Sequence, residues 1–295
     1  MLESDIPVLI ERCPLCNGME GSNYVSYTQM IWVRCLCGLI YRKYCSQAGA
    51  LTAVPAIQAT PFDGATPNAS VQVRRYGKGG RRVGKARQQI LDAWNHVDNR
   101  RMGVKQRLLD IGCSVGHTLR AGTQLGFESV GVDLDPLAIR ICHDAGMQAE
   151  LATQERLPFV DGCFDVVMMK HVLEHSIDPR RSLKEVCRVL RPGGALFLAA
   201  PNAEYMKAAW SPHTSRFYRP EGNDHFVYFS PRTLTSLVND VGFKAVRIHP
   251  HILHRHASRE WKTAEVLIAP LLLLGGALRT LLRLRKEFWL VAQKV

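Results

Sequence analysis

The sequence predicts an α/β fold built on a mostly parallel sheet with helices on both faces, preceded by a small cysteine-bearing unit. Three observations carry that expectation. Short apolar runs of strand length, "RLLDI", "SVGVD", "FDVVMMK" and "ALFLAAP", alternate with helical stretches from about residue 84 onward. Glycine turns follow the first run and introduce the last, as strand–helix–strand crossovers in a parallel sheet require. The 295 residues, 46% of them apolar, can fill one large core beside a smaller unit.

The elements follow in chain order. Residues 1–45 are short, aromatic and spaced C-x2-C-x18-C-x-C through Cys13, Cys16, Cys35 and Cys37. Two turns that each present a pair of thiolates make a tetrahedral zinc site, which stabilises a segment too short to own a core; the plain alternative is four reduced thiols. Residues 46–83 are rich in Ala, Thr, Pro and Gly without periodicity and read as a linker. Residues 84–295 form the α/β unit. Within it, "DPRRSLKEVCRVLRPGG" is a helix capped by Asp178, with Pro179 at its first position and Leu183, Val186 and Leu190 on one face. Arg191, Pro192 and Gly193 stop it.

Charge and the N-terminus bound the class of protein. Net charge is +12, and residues 64–91 hold seven Lys or Arg and no acid. That run suits RNA, an anionic membrane surface or an acidic substrate, or is a solvated segment. The first residues carry acids where a signal peptide has lysines, so the expectation is a cytoplasmic protein whose nine cysteines are thiols or metal ligands.

The stretch "RLLDIGCSVGHTLRAGTQLGFESVGVDLDP" contains the chemistry. In an open parallel sheet, ligands sit beyond the carboxyl ends of the strands. Gly112 and Gly116 let backbone approach a ligand, a helix starting near Gly116 offers unpaired N–H groups, and Asp133 ends the next strand where a carboxylate can accept two ribose hydroxyls. The spacing differs from a dinucleotide fingerprint.

With "LLDIGCSVGHTL" and "GVDLDP" stand "ERLPFVDGCFDVVMMKHVLEH", "VCRVLRPGGALFLAAPN" and "DHFVYFSPRTLTSLVNDVGFKAVRI". In this order the five stretches resemble the motifs of class I S-adenosylmethionine-dependent methyltransferases, small-molecule branch, over roughly residues 84–250. The resemblance implies a Rossmann-like sheet of seven strands. It implies that Asp110 and Gly112, Cys113, Ser114 and Gly116 hold the methionine moiety, that Asp133 binds the ribose, and that Leu134 lies against the adenine. Thr153 stands where the family often has an acid for the adenine amine, with Gln154 beside it as a substitute. Lys170, ending the fourth strand, joins the cofactor side. The N-terminal unit resembles a small zinc-binding module fused ahead of some methyltransferases. Its second cysteine pair is one residue short here, leaving Cys37 or Cys45 as fourth ligand.

Such a site must align a nucleophile, exclude water and, for a hydroxyl, accept a proton. His171, His175 and His225 are the candidate bases, because histidine can be neutral near pH 7, with a loop-bracing role the plain alternative for His175. The insertion at 201–230, with Tyr205, Trp210, Arg216, Phe217, Tyr218 and Arg219, is expected to cover the acceptor and suits a ring or an anion. Cys113, Cys142, Cys163 and Cys187 read as core, and "HPHILHRH" as a solvated strand end. Residues 257–286 contain thirteen uncharged positions, 266–278, followed by Arg279, Arg283, Arg285 and Lys286. That is too short to cross a bilayer and reads as a domain helix or an interfacial one at the inner membrane face. "EFWLVAQKV" reads as the last strand. The function expected is methylation, mainly on oxygen, of a small-molecule, glycan or lipid-linked acceptor. An RNA methyltransferase docking through the zinc module and basic linker is the alternative, and a non-catalytic binding protein the third reading.

Overall fold

In the computed structural model, the described residues are 8–27, 30–45, 79–98, 100, 103–205, 212–213, 215, 218, 224–250 and 286–295. The linker residues 46–78, Trp210, Arg216, Phe217, Arg219, His251, His254, His256 and the apolar stretch 257–285 lie outside them.

The larger unit is a seven-stranded sheet. Its strands are β5 (Arg107–Ile111), β6 (Glu128–Asp133), β7 (Gln148–Leu151), β8 (Phe164–Lys170), β9 (Leu190–Pro201), β11 (Phe243–Pro250) and β12 (Glu287–Lys294). Their order is β11-β12-β9-β8-β5-β6-β7, with β12 antiparallel to both neighbours and the other pairs parallel. This is the seven-stranded, mostly parallel sheet expected. The central strands read as continuous apolar runs because helices cover both faces, and all but the last residue of β8 is buried. β5 pairs β6 on one side and β8 on the other, so strand order reverses at its carboxyl end. A crevice opens there.

The helices are α1 (Gly79–Trp94), α2 (His117–Gln124), α3 (Pro136–Asp144), α4 (Pro179–Val189) and α5 (Pro231–Asp240). Asp135, Asp178 and Ser230 cap α3, α4 and α5 by accepting backbone N–H groups, each ahead of a proline at the first helical position. Two boundaries depart from expectation. Helix α1 begins at Gly79, inside the stretch read as linker, because Val83, Ala86 and Ile90 at helical spacing bury themselves against the sheet. "RPGG" does not precede the last parallel strand but lies within β9: Leu190 pairs with Phe164 and Ala195 with Val166, so residues 191–194 loop out opposite Asp165 alone. Arg191, inside that excursion, is ion-paired to the fully buried Asp165.

The cysteine-bearing unit is a second sheet, β1 (Val8–Leu9), β2 (Gly21–Tyr27), β3 (Met30–Cys35) and β4 (Ile40–Cys45), in the order β1-β4-β3-β2. It does not stand apart. The short β10 (Val227–Tyr228), from the insertion expected to cover the acceptor, pairs antiparallel with β4. Trp32 packs edge-on against Tyr218 at 5.6 Å and tilted against Tyr228 at 5.1 Å, and its indole N–H donates to the Tyr218 carbonyl. Each such aromatic pair adds about 0.5–1.5 kcal/mol beyond area burial. The guanidinium of fully buried Arg42 lies over Trp32 and Phe226, and Arg180 of α4 donates to the Leu15 carbonyl. Tyr205 and Tyr218, expected to face an acceptor, are buried in this shared cluster instead. Their rings had more apolar surface to cover from β2, β3 and β4 than the sequence of the insertion discloses.

Candidate active site

The turn after β5 is held by backbone chemistry. Gly112, Ser114 and Gly116 all have positive φ, at 71°, 48° and 75°. The N–H groups of Gly112 and Cys113 both donate to the Val132 carbonyl. The Ser114 N–H donates to Asp133 Oδ2 at 2.7 Å, and the Asp135 N–H to Asp133 Oδ1 at 3.0 Å. Asp133 therefore fixes the glycine turn against β6. Gly112 owes its identity to a neighbour as much as to any ligand, since a Cβ there would lie 2.4 Å from Val172 Cγ2. Valine is stiff at χ1 and cannot step aside. Gly112→Ala is expected to destabilise the fold by about 1–3 kcal/mol for the clash and roughly 1–2 more for the left-handed backbone. Adding Val172→Ala should relieve the clash but not the backbone strain, and thermal unfolding of the four-member cycle reads it. No coupling between the two positions would refute the account.

Around that turn sit buried oxygens with unmet hydrogen-bonding capacity. Asp110, at the end of β5, is buried, and its Oδ1 has no hydrogen-bond partner. Burial pushes its carboxyl up to about 6, opposed by the nearby Lys170. Lys170 itself donates to Thr118 Oγ1. Gln154 donates its amide to the Val172 carbonyl while its buried Oε1 is unpartnered. Burial raises the Asp133 carboxyl, and the turn's N–H groups pull it back. Leu134 is exposed, as is Leu151, which pairs in register with Asp133. Thr153 makes an isolated bridge with Arg156. A cation beside Asp110, a diol beside Asp133 and an amine at Gln154 would satisfy these groups. Buried orphan acceptors are costly unless something completes them, so the set fits S-adenosylmethionine.

Two of the three histidines are pushed in opposite directions by their surroundings. His171 sits in a left-handed backbone conformation between two carboxylates, Nδ1 3.3 Å from Glu174 Oε1 and Nε2 2.7 Å from Glu287 Oε2. Burial works against its protonation, but the two carboxylates win and raise it to about 9. The two carboxylates thus favour its protonated form, which suits an ion pair better than the base role expected from its position. Its charge stabilises the fold fully below about pH 6.5 and stops doing so as pH climbs through about 9. His171→Gln should flatten the fall of melting temperature across that window, and an unchanged slope would show that the pair contributes nothing. His225 is the reverse. Burial lowers it to about 4, against the pull of Glu174, and its Nδ1 lies 3.0 Å from the Tyr228 hydroxyl. His175 packs edge-on against it at 4.7 Å, with Nδ1 3.3 Å from Asp224 Oδ2. Glu174, fully buried beside them, escaped the sequence reading, although "LEH" places an acid next to a candidate base. Glu174, His175 and His225 offer ligand atoms all within 4.8 Å of one another, close enough to share one cation or one proton.

In the N-terminal unit, Cys13, Cys16, Cys35 and Cys37 converge, with all four sulfurs within 4.8 Å. The Cys13–Cys37 and Cys16–Cys35 sulfurs are 3.6 and 3.5 Å apart. A tetrahedral zinc with bonds of about 2.3 Å sets its sulfurs roughly 3.8 Å apart. Each turn closes on a left-handed residue directly after its second cysteine, Asn17 and Gly38. The short second spacing therefore still delivers Cys37 to the cluster. Of the other cysteines, Cys113 and Cys142 are buried together, and Cys163 and Cys187 pack against the main core.

Comparison with known proteins places this geometry. The profile of a family described as a methyltransferase domain matches residues 77–248. A ubiquinone biosynthesis O-methyltransferase of Xanthomonas oryzae pathovar oryzae is 28% identical over 134 residues, covering 42% of this chain and 56% of the relative. Its counterpart in Xanthomonas euvesicatoria is 26% identical over 150 residues, 47% of this chain and 62% of the relative. The chain thus spans little more than half the length of these curated relatives. Among solved structures, an Archaeoglobus fulgidus S-adenosylmethionine-dependent methyltransferase superposes with a TM-score of 0.50 at 21% identity, over 72% of this chain and 94% of the other. A chain from a Haloferax volcanii complex of a methyltransferase activator with a methyltransferase reaches 0.51 at 17% identity, over 74% and 94%. At these identities the superpositions speak for the fold.

Proposed function

We propose, from the premise that the chain belongs to the methyltransferase-domain family, that it transfers the methyl group of S-adenosylmethionine to an oxygen of a small-molecule, glycan or lipid-linked acceptor. The observation that carries the reading is the pair of buried unpartnered oxygens, Asp110 Oδ1 and Gln154 Oε1, on either side of the Asp133 turn. When bound, the cofactor supplies an activated methyl on its sulfonium, which leaves alignment, desolvation and deprotonation to the protein. Asp110 would face the amino group of the methionine moiety, Asp133 the ribose hydroxyls, and Gln154 the adenine amine, with Leu134 against the ring. Cys113, Ser114, Thr153 and Lys170 complete the surrounding wall.

His225 is the base of this reading. Neutral at physiological pH, it can accept the acceptor's hydroxyl proton, with Glu174 stabilising the imidazolium that forms and Tyr228 and His175 orienting the ring. The names of the Xanthomonas relatives support oxygen as the accepting atom and a quinone-like ring as one acceptor class. Cys13, Cys16, Cys35 and Cys37 would hold a structural zinc, and the unit it would organise packs against the insertion through Trp32, Tyr218 and Tyr228.

The test is transfer of labelled methyl from S-adenosylmethionine into a fractionated cell extract, with and without nuclease. Label in a solvent-extractable or glycan fraction is expected; label lost to ribonuclease would make RNA the acceptor. His225→Ala should lower turnover by roughly 100- to 10,000-fold, the usual worth of a general base, with cofactor affinity intact. Loss of both would mean that His225 is structural.

A further inference from the structure

The N-terminal half of α1 carries a basic surface that the reaction does not use. The helix buries Val83, Ala86, Ile90 and Ala93 and leaves Arg81, Arg82 and Arg87 exposed, with Lys85 partly so. Its first turn contains no acid. Cations at a helix N-terminus oppose the helix dipole, which favours anions there. Helix stability therefore does not account for them.

The same end of α1 reaches the rim of the candidate site. Lys85 Nζ lies 3.5 Å from Glu287 Oε1, and Glu287 Oε2 pairs with His171. Lys286, exposed, precedes Glu287, and its carbonyl accepts the Asn202 N–H at the carboxyl end of β9. The chain leaves the sheet at Pro250 and re-enters at Glu287, and Pro250 pairs in register with Phe288, so both attachment points share this rim. The residues between them lie outside those described, but their sequence includes the thirteen uncharged positions and the arginines that follow.

We propose that the basic half of α1 together with Lys286 is a docking surface for an anionic lipid bilayer, which sets the acceptor entrance against the membrane. This rests on the methyltransferase reading for its purpose, not for its binding. RNA would meet the same charges. The uncharged run tethered at this rim favours lipid, because an interface buries apolar side chains beneath its headgroups whereas a phosphate backbone offers them nothing. No helix among the described residues is long and apolar enough to cross a membrane, so the contact is with one face.

The test is co-sedimentation of the full chain with phosphatidylcholine vesicles, with and without phosphatidylglycerol, alongside calorimetry of S-adenosylmethionine binding. Binding to the anionic vesicles alone, released by salt, is expected. The triple variant Arg81→Gln, Arg82→Gln, Arg87→Gln should lower partitioning by about two orders of magnitude, from about 1 kcal/mol per basic residue, and leave cofactor affinity unchanged. Equal binding to both vesicle types, binding to neither, or a triple variant that partitions like the parent would overturn the proposal. So would tighter, salt-sensitive binding to polyuridylate than to anionic vesicles, which would assign the surface to RNA. Failure of the parent chain to bind S-adenosylmethionine would count against the methyltransferase reading, with the vesicle result still legible.

Discussion

Asp133→Ala is expected to weaken S-adenosylmethionine binding by about 100- to 1,000-fold. Two hydrogen bonds from ribose hydroxyls to a carboxylate are worth about 1.5–3 kcal/mol each. The substitution also removes the acceptor for the Ser114 and Asp135 N–H groups, which hold the glycine turn in place. Calorimetric titration with the cofactor measures the effect. Asp133→Asn separates the two contributions, because an amide keeps one acceptor for the turn but meets the diol poorly. Cofactor affinity unchanged in both variants would remove the site from this end of β6 altogether.

Replacing Cys13 and Cys16 together by Ser, or chelating the zinc proposed for this cluster, is expected to unfold the N-terminal sheet. A structural zinc contributes folding free energy of order 10 kcal/mol, and the first four strands bury little that does not lean on the cysteine turns or on the larger unit. The loss should spread along β4 into β10, disordering the Trp32–Tyr218–Tyr228 cluster and the Arg42 stack. Cofactor binding should survive, because Asp110, Asp133 and Gln154 belong to the other sheet and its crevice. Turnover should fail on the acceptor side. Near-ultraviolet circular dichroism reports the aromatic cluster, calorimetry the cofactor and methyl transfer the outcome. Protein purified without chelator that holds well under one zinc per chain would end the metal assignment.

The α/β architecture was legible because its signals are local. Strand-length apolar runs, the Asp178–Pro179 helix start and the glycine turn each act within a few residues, and β5, β6, β8 and α4 lie where those patterns point. The start of α1 was hidden because its apolar spacing up to Ile90 is diluted by Gly80, Gly84 and six basic or polar positions. The excursion inside β9 was hidden because a turn signal does not say whether the strand resumes on the same partner.

The site divides along the same line. The glycine turn and Asp133 at the next strand end could be read from the sequence, while Asp110 and Gln154 entered only through the resemblance to the methyltransferase motifs. Cofactor binding measures the role proposed for all of them. The charge states of the histidines could not be read from the sequence. His171 is held protonated by Glu174 and Glu287, the second of them 116 residues away, while His225 is kept neutral by burial. Nor does spacing reveal that a cysteine module and an insertion some 180 residues further on share a sheet through β4 and β10. By itself the sequence determined the strand runs, the glycine turn and the first cysteine pair, since each depends on neighbours along the chain. It left Cys37 or Cys45 open as the fourth sulfur of the cluster. Only the tertiary structure decided which carboxylates surround His171 and His225 and that Tyr205 and Tyr218 pack with Trp32. Burial and charge pairing depend on groups that meet only when distant segments pack.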